Sequence, residues 1–352
     1  MHPFAAAIET WYGVHRRQLP WRETTDPYLI LVSELILQQT RVAQGLDYYL
    51  RFVERFPTAA ALAAADEDEV LRMWQGLGYY SRARHLHAAA KRVVEQGGFP
   101  DTESGVRALP GVGPYTAAAI LSFAFGRPLA VVDGNVYRVL ARYFALSTPI
   151  DTTQGKKEFA ALAEELLDKA HPALYNQALM DFGALQCTPA SPRCEACPLA
   201  DSCRARAEGL VPSLPKKQKR TAVTTRFFVY LFVRSAEGKL WLHRRPAGDI
   251  WQGLYEPPLL EFPERPDWEA VARHPFLQQL AGAGFTVQAV AADVVHQLTH
   301  RRLCADAYEV QLHRTWPLPE GYLAVEAGRL ADYAMPRLVL LMLEKMANSA
   351  TV

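Results

Sequence analysis

The sequence predicts two domains, an all-α domain over residues 1–209 and a smaller α+β domain over residues 226–346. Before Gly209, apolar residues recur with helical spacing, and no stretch alternates as a strand would. After Arg226, apolar and aromatic runs are separated by short turn signals, which is typical of strands. Between them, residues 210–225 combine prolines with a basic run and therefore predict a linker. A chain of 352 residues, half of them hydrophobic, is long enough for two cores.

The first domain is predicted to consist of helices with recognisable starts and ends. Asp26-Pro27 supplies an N-cap followed by a first-turn proline, and Gly97-Gly98 is a C-cap signal. The predicted helices are Phe4–Val14, Tyr28–Gln38, Val42–Phe56, Asp66–Trp74, Ser81–Gln96, Tyr115–Phe125, Gly134–Phe144, Lys156–His171 and Ala173–Leu185. Residues 75–80 (Gln-Gly-Leu-Gly-Tyr-Tyr) are too glycine-rich for a helix, and we expect Leu77 and Tyr79 to be exposed there.

The second domain mixes strands and helices. Residues 236–239 (Ala-Glu-Gly-Lys) indicate a hairpin between the first two strands. Strands are predicted at Phe227–Val233, Leu240–His243, Phe285–Val294 and Leu303–Leu312, and helices at Trp268–Leu280 and Pro336–Met346.

Composition excludes some classes of protein. No apolar run reaches the length of about 20 residues that a membrane helix needs, and the first residues lack the basic and apolar regions of a signal peptide. We therefore expect a cytoplasmic protein of bacterial type with no membrane contact. The net charge of +1 does not by itself suggest a nucleic-acid partner.

A glycine-containing turn lies between two predicted helices at residues 109–117 (Leu-Pro-Gly-Val-Gly-Pro-Tyr-Thr-Ala). Gly111 and Gly113 permit positive φ and a close backbone approach, and Pro114 suits the first turn of a helix. The turn would present free N–H groups at a helix N-terminus, where a phosphodiester fits well. A simple packed helical hairpin is the alternative.

Two carboxyl groups lie in contrasting predicted environments. Glu34 stands inside an apolar helix, so burial should raise its pKa and let it keep a proton near neutral pH. Asp133 precedes a helix whose N-terminus should keep it ionised, although a purely structural N-cap is the alternative. One acid can donate a proton and the other can face a cation, which is what cleavage of a glycosidic bond requires.

Four of the five cysteines lie close together, which in a reducing compartment points to metal binding rather than disulfides. Their spacing has a single Cys-x2-Cys pair with one cysteine on each side, whereas zinc ribbons usually have two such pairs. Four thiolates in one short loop suit an iron–sulfur cubane better than zinc. The four are Cys187, Cys194, Cys197 and Cys203.

These motifs together resemble those of a known family. The turn at residues 109–117 followed by Val132-Asp133 resembles the helix-hairpin-helix DNA glycosylases, and the cysteine spacing is that of their 4Fe-4S loop. The rest of the chain is similar to MutY-type adenine DNA glycosylases. This resemblance implies an all-α helix-hairpin-helix glycosylase domain with a 4Fe-4S loop at 187–203, followed by a small Nudix-like domain.

The resemblance also implies a function. A monofunctional glycosylase would remove adenine mispaired with 8-oxoguanine or guanine from double-stranded DNA, flipping the adenine out and hydrolysing its N-glycosidic bond during base excision repair. We expect it to act as a monomer, with its substrate in the bacterial nucleoid.

The family pattern assigns roles to individual residues. It implies that Glu34 protonates adenine N7, that Asp133 serves the cation and water steps, and that Asn135 orients the site. Tyr115 stands where relatives that also cut the backbone carry a lysine, so no Schiff base can form at that position. Other residues match positions that the family uses at the DNA or the lesion, namely Arg22, Gln39, Thr40, Leu77, Tyr79, Gly111 and Gly113.

The second domain carries a looser resemblance. Residues 244–246 and 251–256 resemble the Nudix-like domain of MutY proteins, but the glutamate-rich helix with which Nudix hydrolases hold magnesium is absent from the sequence. Residues 295–300 resemble the loop that recognises the oxidised guanine. The family's Phe-Ser-His is Leu298-Thr299-His300 here, and Thr299 keeps the hydroxyl group. Taken alone, His300 would be a surface-strand histidine.

Two other functions remain open at this point. One is a bifunctional glycosylase and abasic-site lyase for oxidised pyrimidines, which Tyr115 and the second domain disfavour. The other is a metal-stabilised DNA-binding module without catalysis, which the buried Glu34 disfavours because a scaffold gains nothing from a desolvated carboxyl group.

Overall fold

The computed structural model describes residues 2–218 and 222–349. Within them the chain forms two compact units: residues 2–64 and 85–218 form the first, and residues 65–84 and 222–349 form the second. The main division between the units falls within the predicted linker, residues 210–225. The sequence did not predict that residues 65–84 group with the second unit. Among the described residues, no helix is both long and apolar enough to cross a membrane.

The first two hundred residues are helical, as predicted. In chain order the helices are α1 (Pro3–His15), α2 (Pro27–Leu37), α3 (Val42–Arg55), α4 (Ala59–Ala63), α5 (Glu67–Met73), α6 (Ser81–Glu95), α7 (Glu103–Arg107), α8 (Pro114–Phe125), α9 (Gly134–Tyr143), α10 (Thr153–Leu166), α11 (Pro172–Asp181) and α12 (Arg204–Ala207). The one-turn helices α4 and α12 were missed because so short a segment has no readable periodicity. The helix expected before the glycine turn, which was predicted without bounds, is α7. The segment after α11, Phe182–Gln186, is a π-helical turn.

The core of the first unit forms where α1, α9 and α11 pack together. Helix α2 packs against α3 and α8, and almost its whole circumference is buried. An all-round apolar helix requires this position, because any exposed face would leave Leu or Ile side chains in water. Asp26 caps α2 as predicted, accepting a hydrogen bond from the N–H of Tyr28 at 2.8 Å.

The second unit contains a mixed sheet of seven strands in its described residues. The strands are β1 (Thr224–Arg234), β2 (Leu240–Arg244), β3 (Tyr255–Glu256), β4 (Leu259–Phe262), β5 (Phe285–Gln297), β6 (Arg301–Leu312) and β7 (Tyr322–Val325). Strands β1 and β6 run parallel, whereas β5 and β6 form an antiparallel hairpin. The predicted β1–β2 hairpin is present, with Arg234 opposite Leu240.

Helices cover the sheet. They are α13 (Trp268–Ala272), α14 (Pro275–Leu280) and α15 (Arg337–Ser349). The single helix predicted over 268–280 is wrong, since His274-Pro275 ends one helix and caps the next. The short strands β3, β4 and β7 were not predicted, because segments of two to four residues have no alternation to read.

The predicted linker begins as a packed segment. Ile150 donates its N–H to the carbonyl oxygen of Lys216, and the side chain of Leu214 is buried. Gln218 donates its N–H to Asp151 Oδ1 at 2.9 Å. Residues 210–218 therefore belong to the first unit, while residues 219–221 of the predicted linker lie outside the described residues.

The turn between α7 and α8 differs in one detail from the prediction. Gly111 has φ +78°, and a Cβ atom there would lie 2.7 Å from the Cβ of His85. Gly113 is the N-cap of α8 with φ −89°, and nothing lies within 4 Å of where its Cβ would be. The prediction of a positive φ and a close backbone approach is therefore correct for Gly111 and wrong for Gly113. Pro114 fixes the start of α8, and the residue before a proline favours an extended backbone.

These geometries predict different costs of adding a methyl group. Gly111→Ala should lower the free energy of unfolding by about 1–3 kcal/mol, since it adds backbone strain and a steric clash. Gly113→Ala is the matched comparison and should cost less, about 0.5–1 kcal/mol, because it adds no strain or clash but replaces an N-cap glycine with the less favourable alanine. Urea unfolding followed by circular dichroism measures both, and equal losses would contradict the assigned geometry.

Candidate active site

Glu34 lies in the middle of the buried helix α2, and only 6% of its surface is exposed. The Tyr115 hydroxyl forms a hydrogen bond with its carboxyl group. Burial raises the pKa of Glu34 to about 7, and the nearby charge of Asp133 also raises it, while the Tyr115 bond and the charge of Arg22 oppose the rise. The predicted proton-holding acid is therefore present in the folded chain.

Tyr115 is the second residue of α8, so the glycine turn and the proline at the helix start position it directly. Burial and the neighbouring carboxyl groups of Glu34 and Asp133 raise the pKa of Tyr115 well above its usual value. The hydroxyl thus keeps its proton at any physiological pH. It can donate to an ionised Glu34 carboxylate and accept from the protonated form.

Asp133 is the N-cap of α9. Its Oδ1 accepts the N–H groups of Asn135 at 2.9 Å and Val136 at 2.8 Å, and its Oδ2 accepts the Asn135 side-chain amide at 2.7 Å. Burial nevertheless raises the pKa of Asp133 above its usual value, while these bonds and Arg138 oppose the rise. The sequence predicted the stabilising helix N-terminus correctly but missed the burial that works against it.

Asn135 joins this carboxylate to a second layer of side chains. Its Oδ1 accepts from Arg138 Nη2 at 2.9 Å, and the same Nη2 donates to the Gly183 carbonyl at 2.6 Å. Arg138 Nε donates to the Cys187 carbonyl at 2.7 Å. The Asp133 carboxylate is therefore connected through two side chains to the first cysteine of the cysteine loop.

Gly183 lies in the π-helical turn that follows α11. A Cβ atom at this position would come within 2.6 Å of the Asn135 Cβ, so only glycine lets the turn approach the start of α9 this closely. A π-helical turn adds one residue to the helical ladder and is frequent at functional sites. Here it brings the Gly183 carbonyl to Arg138.

A buried ionic cluster near Glu34 was missed by the sequence reasoning. Asp181, fully buried at the end of α11, binds the guanidinium groups of both Arg17 and Arg22. Arg22 also donates to the Tyr12 hydroxyl at 3.2 Å. The signal was available, because Asp181 interrupts an apolar run just as Glu34 does. Since Asp181 holds the guanidinium of Arg22, the predicted lesion residue Arg22 already has a protein partner.

The other predicted DNA and lesion residues are divided between the two units. Gln39, exposed and with φ +57°, and Thr40 follow the end of α2 in the first unit. The second unit holds Leu77, Tyr79, Thr299 and His300. Of these, Tyr79, Thr299 and His300 are exposed, and Tyr79 and Thr299 share a hydrogen bond between their hydroxyl groups.

The expectation that Leu77 is exposed is wrong, because only 6% of its surface is accessible. Gly76 and Gly78 both have positive φ, and the Leu77 N–H bonds back to the Trp74 carbonyl at 3.1 Å. This tight turn lets the chain bury a side chain that the glycine-rich sequence suggested was exposed.

The four cysteines of the loop line one cavity, together with Arg142, Arg193 and Arg206. Burial and the charges of the other three thiols together raise the pKa of the Cys197 thiol to about 11, while a hydrogen bond with the Leu199 backbone opposes the rise. Arg142 braces the loop by donating to the carbonyls of Thr188 at 2.7 Å and Pro189 at 2.8 Å, and it contacts the Cys187 sulfur at 3.4 Å. Among the described residues, no three His, Cys, Asp or Glu side chains are grouped so that they could hold a metal ion.

Known proteins resemble this chain in sequence and in fold. A family model described as "HhH-GPD superfamily base excision DNA repair protein" matches residues 32–169, and a NUDIX domain model matches residues 229–345. The adenine DNA glycosylase of Buchnera aphidicola subsp. Baizongia pistaciae is 33% identical over 255 residues, which cover 72% of this chain and 72% of that protein. The chain belongs to the adenine DNA glycosylase family. The predicted fold class, a helix-hairpin-helix domain followed by a Nudix-like α+β domain, is confirmed.

Other members and relatives cover only part of the chain. The human adenine DNA glycosylase is 44% identical over 214 residues, and the match covers 58% of this chain but only 39% of the human protein. The chain thus accounts for about two fifths of the length of that member of the adenine DNA glycosylase family. A solved thermostable thymine-DNA glycosylase superposes with a TM-score of 0.55 at 33% identity, covering 58% of this chain and 95% of that one.

The raised pKa of Glu34 predicts a pH-dependent stability. The folded chain binds this proton more tightly than the unfolded chain does. The stabilising effect of the bound proton is therefore full below about pH 4.5 and is lost as the pH rises through about 7. We therefore compare the free energy of unfolding of Glu34→Gln with that of the unsubstituted chain at two pH values. This difference should shift in favour of the variant by about 2–3 kcal/mol from about pH 5 to about pH 8. Urea unfolding at the two pH values measures the difference. A difference independent of pH would show that Glu34 titrates normally.

Proposed function

We propose that this chain is a monofunctional adenine DNA glycosylase that hydrolyses the N-glycosidic bond of adenine paired with 8-oxoguanine or guanine in double-stranded DNA. The observation that carries the proposal is the pairing of Glu34, partly protonated near neutral pH, with Asp133, close enough for their charges to interact. Membership of the adenine DNA glycosylase family supports the choice of base.

The two acids would have separate tasks. Glu34 protonates N7 of the flipped adenine, which makes the base a better leaving group. As the bond breaks, positive charge develops on the sugar, and the Asp133 carboxylate stabilises it and accepts a proton from the attacking water. Asn135 and Arg138 hold Asp133 through the hydrogen bonds already described. Tyr115 positions the Glu34 carboxyl group.

A lyase reaction would need an amine that attacks the sugar. Tyr115 carries a hydroxyl group in place of that amine, with a pKa far too high for a nucleophilic phenolate. Borohydride trapping on a duplex with an abasic site separates the two enzyme functions. Efficient covalent trapping would favour the bifunctional alternative.

DNA would be held by the turn between α7 and α8 and read by the second unit. The Gly111 turn leads into the N-terminus of α8, whose free N–H groups suit a phosphodiester. Gln39, Thr40, Gly113 and Tyr79 are proposed to contact the DNA near the flipped adenine, Arg22 to line its pocket, and Leu77 to support the loop of Tyr79. Thr299 and His300 are proposed to recognise the base opposite. We also propose that the chain acts as a monomer in the cytoplasm.

The four cysteines fit a 4Fe-4S cluster. Their thiols surround one shared cavity, and Arg142 supplies positive charge beside the Cys187 sulfur, which suits a thiolate cluster. Zinc ribbons usually take their ligands from two Cys-x2-Cys pairs, whereas this loop has one such pair with a single cysteine on each side. We therefore propose that Cys187, Cys194, Cys197 and Cys203 hold the cluster and fix the loop. Base hydrolysis itself needs no electron transfer.

The acid assignments predict a selective loss of chemistry. Glu34→Gln and Asp133→Asn should each lower the single-turnover rate of adenine release by about 10²–10⁴-fold, because each removes a group needed only in the transition state. Duplex affinity should stay within a few-fold. Quenched single-turnover assays and fluorescence anisotropy measure the two quantities.

The matched control is Glu165→Gln, since Glu165 is an exposed carboxylate on α10 of the same unit. It should leave both rate and affinity unchanged. Parallel losses of rate and affinity in Glu34→Gln and Asp133→Asn would contradict the catalytic roles. If the unsubstituted chain released no adenine from either mismatch, the proposed function itself would be overturned.

The metal assignment predicts about four iron atoms per chain and broad visible absorbance in protein purified without oxygen. Cys197→Ala should lose both, whereas Cys304→Ala, in strand β6 of the second unit, should keep both. Elemental analysis with absorbance spectroscopy measures this. One zinc ion per chain, or equal iron in the two variants, would contradict the assignment.

A further inference from the structure

A single carboxylate in the second unit connects three arginines. Asp249 Oδ1 accepts from Arg226 and Arg301, both at 2.7 Å, and its Oδ2 accepts from Arg226 at 2.8 Å and Arg245 at 2.7 Å. Strong hydrogen bonding lowers the pKa of Asp249 far below its usual value, so the carboxylate stays charged at every working pH. Asp249 follows β2, whereas Arg226 lies on β1 and Arg301 begins β6.

The three arginines differ in what else binds them. Arg226 also pairs with Glu261, and Arg245 also pairs with Glu256. Within residues 222–349, the only ion pair of Arg301 is the one with Asp249. Loss of the Asp249 charge would therefore release Arg301, while the other two arginines would keep a carboxylate partner.

Arg301 directly follows the turn formed by Leu298, Thr299 and His300. The turn is narrow: Leu298 donates its N–H to the Arg301 carbonyl at 2.8 Å, and Thr224 donates its N–H to the His300 carbonyl at 3.1 Å. Leu298 packs against the core, whereas the side chains of Thr299 and His300 are exposed, and Thr299 shares a hydrogen bond with the Tyr79 hydroxyl. The backbone bonds fix one end of the turn, and the Arg301–Asp249 pair ties the same end to the loop after β2.

The hairpin of β5 and β6 is irregular only at a distance from this turn. Strand β5 has register shifts between Ala289 and Ala291 and between Ala291 and Val294, and Asp293 has φ +57°. Such bulges bend a strand and increase its twist. The ladder nearest the turn is regular, from Val294 opposite Ala305 to Gln297 opposite Arg302. This ladder fixes the backbone at the base of the turn, and the Arg301–Asp249 pair adds a side-chain anchor to the loop after β2.

We propose that Asp249 and Arg301 are positioning residues that hold the Leu298–His300 turn where it distinguishes 8-oxoguanine from guanine opposite the adenine. This inference rests on the proposed function and adds two specificity-determining residues to it. Neither residue needs to touch the DNA. Their contribution would appear as a preference between duplexes rather than as catalytic rate.

The test compares single-turnover rates on duplexes with adenine opposite 8-oxoguanine and opposite guanine. Arg301→Gln and Asp249→Asn should each reduce the rate ratio by about fivefold or more, corresponding to a coupling of about 1 kcal/mol. His300→Ala provides the reference loss of discrimination. Arg302→Gln is the matched control, because it removes the same charge from the next residue, which points to the opposite face of β6. It should leave the ratio unchanged.

Further measurements separate positioning from direct contact. The double variant Asp249→Asn/Arg301→Gln should lose no more discrimination than either single variant, and Arg301→Lys should restore part of it. Two results would show that Arg301 contacts phosphate and would overturn the proposal. One is a double variant whose loss of discrimination equals the sum of the single losses, and the other is a weaker salt dependence of duplex binding in Arg301→Gln. Arg301→Gln removes one of the four hydrogen bonds that arginines donate to Asp249, so circular dichroism should find this variant folded even if Asp249→Asn is not. If the unsubstituted chain is active and the folded Arg301→Gln variant keeps the same rate ratio, this inference alone is overturned. If the unsubstituted chain releases no adenine, the proposed function is overturned.

Discussion

The desolvation of one carboxyl group governs the arrangement of the first unit. Glu34 can hold a proton near pH 7 only because α2 is surrounded by other helices, and α2 can be surrounded only because nearly all its side chains are apolar. A carboxyl group in such a helix would ordinarily be a defect that costs folding free energy. Tyr115 limits that cost with a single hydrogen bond and leaves the proton available. The packing of α2 and the turn into α8, which positions Tyr115, therefore together set the environment of this one acid.

The same contacts of Asp133 can serve both a structural and a functional role. Its carboxylate caps α9 through two backbone N–H groups and one side-chain amide. Those bonds oppose the pKa increase that burial causes, and they also fix where the negative charge points. The alternatives of an N-cap and a charge stabiliser are therefore compatible, since the cap supplies the orientation that charge stabilisation requires.

The sequence was informative wherever a local rule decides the structure. The Asp26 cap, the buried helix of Glu34, the α7–α8 turn and the β1–β2 hairpin each depend on a few adjacent residues and were predicted. The errors arose where distant residues decide. Leu77 is buried by a fold-back that glycine content cannot reveal, and residues 65–84 group with the second unit through contacts far along the chain. Asp181 could have been found by the reasoning applied to Glu34, but its two arginine partners could not.

Each unit places a buried or well-bonded aspartate beside residues proposed to act on DNA. Asp181 binds Arg17 and Arg22 next to Glu34, and Asp249 binds three arginines beside the turn at 298–300. Removing charged groups from water costs several kcal/mol per ion, so such clusters add little net stability. They do impose geometry, because several guanidinium groups must converge on two oxygen atoms at hydrogen-bond distance. Apolar packing of the same volume would tolerate small shifts that these clusters forbid. The two clusters therefore fix in position the two surfaces that are proposed to act on DNA, one beside Glu34 and one at the turn of residues 298–300.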